Sequence, residues 1–227
     1  MDANFEKPIV SQQTKILPLC PFGNVFFCHF LLREKVIIDL GENYPKQTWR
    51  NRYDVPGPNG LLQLTIPVVG TKGQKVPAGQ ILIDNQQPWA DQHRKTLRAA
   101  YGSAPFFEHY APAIEDLLSK RYRLLTDFNR ATLKLIQNWL SLSGETSLSN
   151  SWIEPGSDNL DLRPYFKPAH FKELKFDTHE YIQVFTDRFN FIPNCSVLDL
   201  IFNLGPESRT YLQQCRFEES QITILDR

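Results

Sequence analysis

The sequence predicts an α/β fold: a single domain with a mixed β-sheet in its N-terminal half and packed helices mainly from residue 89 onward. Three observations predict it. Two apolar runs of strand length flank a short helical run near the start of the chain. A turn rich in proline and glycine then joins two extended segments. Beyond these segments, large apolar side chains recur at helical spacing, which is typical of helices packed against a sheet.

The chain opens with a strand–helix–strand pattern. Residues 15–19 form the first apolar run, which is followed by the breaking residues Pro21 and Gly23. Asn24 is suited to cap a helix over residues 25–32, because its side-chain oxygen accepts from backbone N–H groups of the first turn. Residues 36–40 form the second apolar run. The pattern predicts a βαβ-like unit.

Further extended segments follow. Residues 48–55 and 61–69 flank the sequence Pro-Gly-Pro-Asn-Gly at 56–60, a strong turn signal that predicts a hairpin. Residues 80–84 predict another strand, and residues 181–185 a late one.

Helical spacing begins at Trp89. Trp89, His93, Leu97 and Tyr101 are each four residues apart and therefore share one helix face. Cap and breaker residues predict four more helices: one with Pro112 in its first turn, one capped by Thr126 or Asp127 and ended by Gly144, one capped by Ser196, and one opened by Pro206.

The length of the chain favours one domain over residues 1–227. Residues 1–13 are expected to be a flexible N-terminus. Residues 147–168 are polar and contain several prolines, and they are expected to form a loop or lid excursion. A linker between domains is the weaker alternative, because the sequence that follows is short for a core of its own.

Composition excludes several classes of function. The chain has 25 basic and 25 acidic residues, so the positive charge expected of a nucleic-acid-binding protein is missing. The longest apolar stretch is too short for integral membrane contact. The N-terminus has no signal-peptide pattern, which predicts a cytoplasmic protein.

The cysteines fit that location. Cys20, Cys28, Cys195 and Cys215 form no C-x-x-C pair and are expected to be reduced thiols. No close Cys/His pairs occur, so no metal site is predicted. The familiar phosphate-loop, dinucleotide and nucleophile motifs are missing, so no cofactor is predicted either.

The most unusual segment is residues 42–53. If it is extended after Pro45, one face carries cations and the other carries amides and aromatic rings. The first face would hold Lys46, Thr48, Arg50 and Arg52, and the second Gln47, Trp49, Asn51 and Tyr53. Such a strand suits a phosphate or carboxylate ligand attached to a sugar or ring. The alternative is an edge strand whose solvated charges prevent pairing with another chain.

His93 has two interpretations. Its place on the face marked by Leu97 predicts partial burial, and a core histidine bonded to a backbone carbonyl is the first interpretation. The other is a general base, since imidazole titrates near neutral pH.

Other polar residues are also ambiguous. Glu42 and Asp84 follow or end predicted strands, where ligand-binding carboxylates often lie in α/β sheets. Ser196 and Asp199 have the spacing of a capping box. Cys195 is either a nucleophile or an inert buried thiol, and no partner base is evident for it.

Five strings together carry a resemblance: residues 42–52, 64–68, 89–93, 101–107 and 191–206. In this order they resemble the WbqC-like family, in a form associated with Bacteroidetes. The resemblance covers about residues 15–212. The chain departs from the family at residues 19–27, where the family's glutamine and Gly-Tyr pair are not reproduced, and at Cys195, where an apolar residue is expected.

The resemblance implies a role in O-antigen or other surface-polysaccharide synthesis, with no established mechanism. The shared polar residues are Asn43, Lys46, Arg50, Asn51, Arg52, His93, Tyr101, Ser196, Asp199 and Asn203. On this basis Lys46, Arg50 and Arg52 would bind phosphate or carboxylate, and Asn43 and Asn51 would orient an acceptor. Trp49 or Trp89 would stack on a sugar, with Tyr101 nearby, and Glu42, Asp84, Ser196, Asp199 and Asn203 would support the site or the fold.

The residues and the resemblance together favour two functions. The first is a transferase that modifies a sugar with an amino acid or acyl group, with His93 as its base. The second is a non-catalytic protein that binds a nucleotide-sugar, another phosphorylated small molecule or a glycan-pathway enzyme. If His93 lies within reach of a cleft lined by Arg50 and Arg52, the first gains, and if His93 is sealed in the core, the second gains.

Overall fold

The computed structural model describes residues 13–70, 73–219 and 222. Its centre is a four-stranded parallel sheet in the order β5-β2-β1-β6. The four strands are β1 (Thr14–Leu17), β2 (Val36–Asp39), β5 (Thr146–Ser149) and β6 (Asn159–Asp161). The α/β class is therefore confirmed.

The strand–helix–strand opening is confirmed. Helix α1 (Val25–Arg33) lies between β1 and β2 and crosses over so that the two strands run parallel, with Ile16 opposite Ile37. Asn24 caps α1, because its side-chain oxygen accepts from the backbone N–H of Phe27 at 3.0 Å. Seven of the nine helix residues are buried, and α1 packs as a core helix.

The predicted hairpin forms its own two-stranded antiparallel sheet, β3 (Arg52–Gly57) and β4 (Gly60–Thr65). Gly60 has a φ of 104°, a backbone conformation that side-chain-bearing residues rarely adopt. A glycine at this point therefore allows the two strands to turn back tightly.

The helices pack around the sheet and hairpin. They are α2 (Trp89–Tyr101), α3 (Phe107–Ser119), α4 (Leu125–Leu140), α5 (Pro168–Phe171), α6 (Val197–Leu204) and α7 (Ser208–Gln214). Two short strands, β7 (Phe176–Asp177) and β8 (Arg216–Phe217), pair with each other. One core cluster, rich in phenylalanine, joins the sheet, the hairpin and α1 to α4, α6 and α7.

Several local predictions differ from the structure. The central sheet is parallel rather than mixed, and two of its strands come from the C-terminal half. Residues 147–168 are not a loop: they contain most of β5, all of β6 and a 3-10 turn, Arg163–Phe166. Residues 80–84 make only isolated bridges, and in residues 181–185 no strand forms, because residues 181–183 are irregular and a turn begins at residue 184.

Helix ends also differ. Pro112 lies inside α3, which begins at Phe107, and α4 ends at Leu140 with Ser141 in a left-handed conformation. The last helix begins at Ser208, after a 3-10 turn. The expected flexible segment 1–13 lies outside the described residues, apart from Gln13.

All four cysteines are buried and unpaired. Burial raises the pKa of the Cys20 and Cys28 thiols well above the ordinary value and raises that of Cys215 to about 12. Among the described residues, no helix combines the length and apolar character that a membrane span requires.

Candidate functional site

A polar cavity lies at the carboxyl edge of the parallel sheet. Strands β2, β5 and β6 run parallel, so the residues that follow them meet at one edge. The cavity has a volume of about 400 Å³. It is lined by Glu42, Asn43, Pro45, Thr48, Arg50, Trp152, Asp161, Arg163, Pro164, Lys167 and His170. We call it the edge cavity.

One wall of the edge cavity is a buried ion pair. Arg50 donates from Nε to Glu42 Oε1 and from Nη2 to Glu42 Oε2, both at 2.6 Å. Arg50 Nη2 also reaches the carbonyl of Arg163 at 3.2 Å. Burial raises the pKa of Glu42, and the Arg50 guanidinium opposes that rise. The bidentate geometry holds both side chains in one orientation.

A second arginine crosses the sheet edge. Arg163 is 3% exposed and donates to Asp161 from Nε at 2.8 Å and from Nη2 at 2.7 Å. It also pairs with Asp39, the last residue of β2, and donates to the carbonyl of Ile153 at 3.0 Å. Arg163 thus connects the ends of β2 and β6 with the segment after β5.

Trp152 provides the aromatic surface of the cavity. The residue is 44% exposed, and the Arg163 guanidinium carbon lies 3.7 Å from its ring centroid. This cation–π contact fixes the ring against the buried arginine. Its indole N–H donates to Glu154 at 2.6 Å.

Lys167 and His170 lie on the far side, where the 3-10 turn leads into α5. Lys167 is half-buried, and its side chain lines the cavity. His170 Nδ1 lies 3.2 Å from the carbonyl of Pro164. A carbonyl only accepts, so Nδ1 carries the proton and Nε2 keeps its lone pair when the ring is neutral. The described residues contain no cluster of three or more His, Cys, Asp or Glu suited to a metal ion.

The basic segment is not the extended strand that the sequence predicted. Residues 46–51 form turns, Gln47 has a φ of 58°, and strand structure begins only at Arg52. Asn43 and Arg50 lie in the lining of the edge cavity. Lys46 lies outside the cavity lining, while Trp49 and Arg52 line a different cavity.

Asn51 has a structural position. It is 7% exposed, and its amide donates to the carbonyl of Ile66 at 2.9 Å. The backbone N–H of Ile66 in turn donates to the carbonyl of Asn51 at 2.7 Å. These two bonds extend the pairing of the hairpin beyond its strands, and the first occupies the side-chain amide nitrogen that was expected to orient an acceptor.

His93 is sealed in the core. It is 3% exposed and does not line the edge cavity. Nε2 lies 3.2 Å from the carbonyl of Thr65, which only accepts, so Nε2 carries the proton. Nδ1 lies 3.1 Å from the Tyr53 hydroxyl and accepts from it. Burial lowers the pKa of His93 to about 4.

The aromatic neighbours of His93 are also core residues. Trp89 is 5% exposed and packs edge-on against His93 and Phe128. Tyr101 is fully buried with its ring centroid 4.8 Å from that of Phe202. Neither ring is placed to stack on a sugar at the edge cavity.

Ser196, in the string at residues 191–206, has a structural role. Ser196 caps α6 by accepting from the N–H of Leu198 at 3.3 Å and donates to the carbonyl of Phe22 at 2.7 Å. Asp199 does not complete the capping box: its carboxylate accepts from Tyr181, Gln183 and Asn203 in the core. Burial raises the pKa of Asp199.

Asp84 lies away from the sheet. Its two carboxylate oxygens accept from the backbone N–H of Gln86 at 3.1 Å and from the Gln87 side chain at 2.9 Å. These bonds organise the turn before α2, which accounts for the acidic residue at this position.

Sequence reasoning missed five cavity residues: Trp152, Asp161, Arg163, Lys167 and His170. Four of them fall in the segment that was expected to be a loop or lid. The signal that was available is the sequence Asp161-Leu162-Arg163-Pro164, in which a carboxylate and a guanidinium flank a residue that proves fully buried.

The fold and the cavity define an α/β domain with a cavity, lined largely by polar residues, at the carboxyl edge of its sheet. A family model described as the WbqC-like protein family matches residues 25–163. The uncharacterized protein Rv1507c of Mycobacterium tuberculosis (strain ATCC 25618 / H37Rv) is 31% identical over 224 residues, with 86% of this chain and 94% of that protein covered. The chain belongs to the WbqC-like protein family, which confirms the resemblance. No solved structure matches it.

Proposed function

We propose that the protein binds a sugar ligand carrying a phosphate or carboxylate, of the nucleotide-sugar class, in the edge cavity, and that this binding serves surface-polysaccharide synthesis. The observation that carries the proposal is the composition of the cavity. An exposed indole, an amide and a half-buried lysine line about 400 Å³ of space at the sheet edge. That volume lies within the usual range for small-molecule sites.

Each group has a separate task in this proposal. The Trp152 ring packs on an apolar face of the sugar or base, because its orientation is already fixed by Arg163. Lys167 supplies a point charge for phosphate. Asn43 offers both a donor and an acceptor to ligand hydroxyls. Arg50 and Arg163 are already paired with carboxylates and hold the wall of the cavity in shape.

We expect Trp152→Ala and Lys167→Ala each to weaken nucleotide-sugar binding by at least about tenfold, which corresponds to about 1.4 kcal/mol. The measurement is a thermal-shift titration with a panel of nucleotide-sugars, because a ligand that binds only the folded state raises Tm by mass action. Lys95→Ala, on the exposed face of α2, is the matched control and should bind as the unmodified protein does. Equal affinity in all three variants would place the ligand elsewhere.

A second candidate function is a transferase acting on the same ligand. The favouring observation is His170, a cavity residue whose Nδ1–H is held by the carbonyl of Pro164. Its Nε2 is thereby available to accept a proton from a sugar amine or hydroxyl as that group attacks the acyl carbon of an aminoacyl or acyl donor, and the protonated ring can then return the proton to the donor's leaving group. In this proposal His170 takes the role that the sequence assigned to His93.

We expect His170→Gln to keep nucleotide-sugar binding and to lower transfer of an amino acid or acyl group by about 10²- to 10⁴-fold, the usual scale for a general base. Transfer is measured by mass spectrometry of the sugar product. His179→Gln, an exposed histidine change, is the control. If the unmodified protein binds the ligand but transfers nothing from any donor tried, the binding function stands alone.

A cytoplasmic location belongs to the same proposal. It is supported by the four buried, unpaired thiols, because disulfides are rare in reducing compartments.

A further inference from the structure

Besides the edge cavity, two further cavities lie on the other side of residues 48–52. The smaller one has a volume of about 10 Å³, and its lining includes Asn24, Trp49, Arg52, Asp54, Asn194 and Ser196. We call it the amide cavity. The larger one, of about 350 Å³, adjoins it and shares Trp49, Asp54 and Asn194. We call it the apolar pocket.

Two asparagine side chains in the lining of the amide cavity each have an Nδ2 group without a hydrogen-bond partner. Asn24, which is 8% exposed, accepts through its oxygen from the N–H of Phe27 at 3.0 Å. Asn194 accepts in the same way from the N–H of Phe26 at 2.9 Å. Each oxygen is tied to the first turn of α1, so the orientation of each amide is fixed. The two Nδ2 groups are buried without a hydrogen-bond partner.

Arg52 supplies a third donor. Its Nε is also buried without a partner, whereas its Nη1 donates to Gln63 at 2.7 Å. The carboxylate in this lining, Asp54, is already engaged, because it accepts from the Trp49 indole at 2.6 Å and from Gln63 at 3.0 Å. The amide cavity therefore presents three unsatisfied donors and a carboxylate committed elsewhere.

Two helices also begin here. α1 has nine residues and α6 has eight, and their cap residues Asn24 and Ser196 form a β-bridge beside the cavity. The N–H of Val25 donates to Cys195, and that of Val197 donates to Gly23, so the two starts are locked together. The positive ends of both helix dipoles favour negative charge at this point.

The number of unpaired donors in the amide cavity indicates which chemical group can bind there. A buried donor left unpaired is unfavourable, so an acceptor is expected in a cavity whose lining contains three of them. One water oxygen has two lone pairs and leaves the third donor unsatisfied, whereas the two oxygens of a carboxylate have about four between them, and its negative charge suits the Arg52 guanidinium and the two helix starts. The volume admits about one oxygen atom. Asn194 has a φ of 53°, the kind of conformation that recurs at ligand sites.

The apolar pocket differs from the amide cavity in the residues that line it. Its wall is formed by Leu61, Pro168, Phe171, Leu174, Phe176 and Pro193. Leu61 is 54% exposed, and a large apolar side chain in that state at a pocket mouth is available to cover an apolar ligand. Lys172, also in the lining, adds a second cation near the entrance.

We infer that these cavities together bind a carboxylate with an apolar body, of the medium-chain fatty acid class. One carboxylate oxygen occupies the amide cavity and the other lies at its opening toward the apolar pocket, so that the two oxygens together accept from Asn24, Asn194 and Arg52. The hydrocarbon lies in the apolar pocket against Phe171 and Phe176. This site is separate from the edge cavity and does not depend on the function proposed for it.

The test uses octanoate, with octanol and acetate as partial ligands. At about a hundredfold excess over Kd, octanoate is expected to raise Tm by about 5–10 °C. Octanol lacks the carboxylate and acetate lacks the chain, so each should give much less. Asn24→Asp and Asn194→Asp keep the oxygens that accept from α1 and replace the amide donor with negative charge. Each should weaken octanoate binding at least tenfold, while Asn138→Asp, on an exposed face of α4, should not.

Three results would overturn the inference. The first is no response of the unmodified protein to octanoate. The second is an equal response to acetate or octanol, which would show a simple anion site or non-specific apolar binding. The third is undiminished octanoate binding in Asn194→Asp, a variant whose half-buried position should preserve the fold even if Asn24→Asp fails to fold.

Discussion

Glu42→Gln should destabilise the protein by about 3–5 kcal/mol, the scale measured when one member of a buried ion pair is removed. The variant keeps the shape of the side chain but leaves the Arg50 guanidinium buried and uncompensated. Arg50 is 3% exposed, so little water can reach its guanidinium to replace the lost carboxylate. The measurement is chemical denaturation, with the slope m compared between variants to confirm that the midpoint reports stability.

Two controls separate pairing from simple loss of charge. Glu108→Gln removes the same group from an exposed pair, 3.6 Å from Arg98, and should cost less than about 1 kcal/mol. The double variant Glu42→Met with Arg50→Met replaces both charges with apolar side chains and should recover most of the lost stability. A loss below about 1 kcal/mol in Glu42→Gln would show that the Arg50 charge is solvated.

This ion pair depends on the point at which the basic segment departs from the extended strand that was predicted. Residues 42 and 50 are brought together by the turns at 46–51, which replace the expected strand. The charge on Arg50 is consequently used within the protein. Sequence alternation predicted which residues are polar and unusual, but the left-handed Gln47 that ends the alternation has no local signal of glycine or asparagine.

Elements with strong local signals were predictable. Each of these signals comes from residues that lie close together in the sequence. The signals are the apolar runs of β1 and β2, the asparagine cap of α1 and the four-residue spacing of α2. Strands β5 and β6 were not, because their sequences Thr-Ser-Leu-Ser and Asn-Leu-Asp contain a single apolar residue each. Both are edge strands, formed through pairing with β2 and β1 rather than by their own propensity.

Because β5 and β6 were not predicted from the sequence, the edge cavity was not predicted either. The edge cavity depends on β5 and β6 running parallel to β2, since this arrangement brings Trp152, Asp161 and Arg163 beside Glu42 and Arg50. Arg163 and Asp39 are 124 positions apart in the sequence. Contacts at that separation leave no periodic trace in the chain. A related failure is residues 181–185, where alternation predicted a strand but the Gln183 side chain closes a loop by bonding to Ile192.

His93→Gln should remove a large part of the pH dependence of stability while leaving the fold intact at neutral pH. The folded-state pKa of His93 is lowered to about 4 by burial, whereas the unfolded chain titrates near the ordinary value of 6.5. The unfolded state therefore takes up a proton first as the pH falls. The stability due to neutral His93 is fully present above about pH 6.5 and is lost progressively down to about pH 4, by about 3 kcal/mol in all.

Glutamine suits this test because it can keep both hydrogen bonds of the neutral ring. Its amide N–H can donate to the carbonyl of Thr65, and its oxygen can accept from the Tyr53 hydroxyl. The measurement is the free energy of unfolding at several values between about pH 4 and pH 7.5, the range that spans both pKa values of His93. His29, Glu42 and Asp199 also have shifted pKa values, but these groups are common to both proteins, so the difference between the two curves isolates His93.

His109→Gln, a change at an exposed histidine of α3, should leave the curve of the unmodified protein unchanged. The same comparison distinguishes the two interpretations of His93. A core histidine with both nitrogens bonded contributes this pH dependence and little to ligand binding, whereas an accessible base would titrate near its ordinary pKa. Parallel curves for His93→Gln and the unmodified protein would show that the pKa of His93 is the same in the folded and unfolded states, as for an accessible imidazole, and would make His93 a candidate base again.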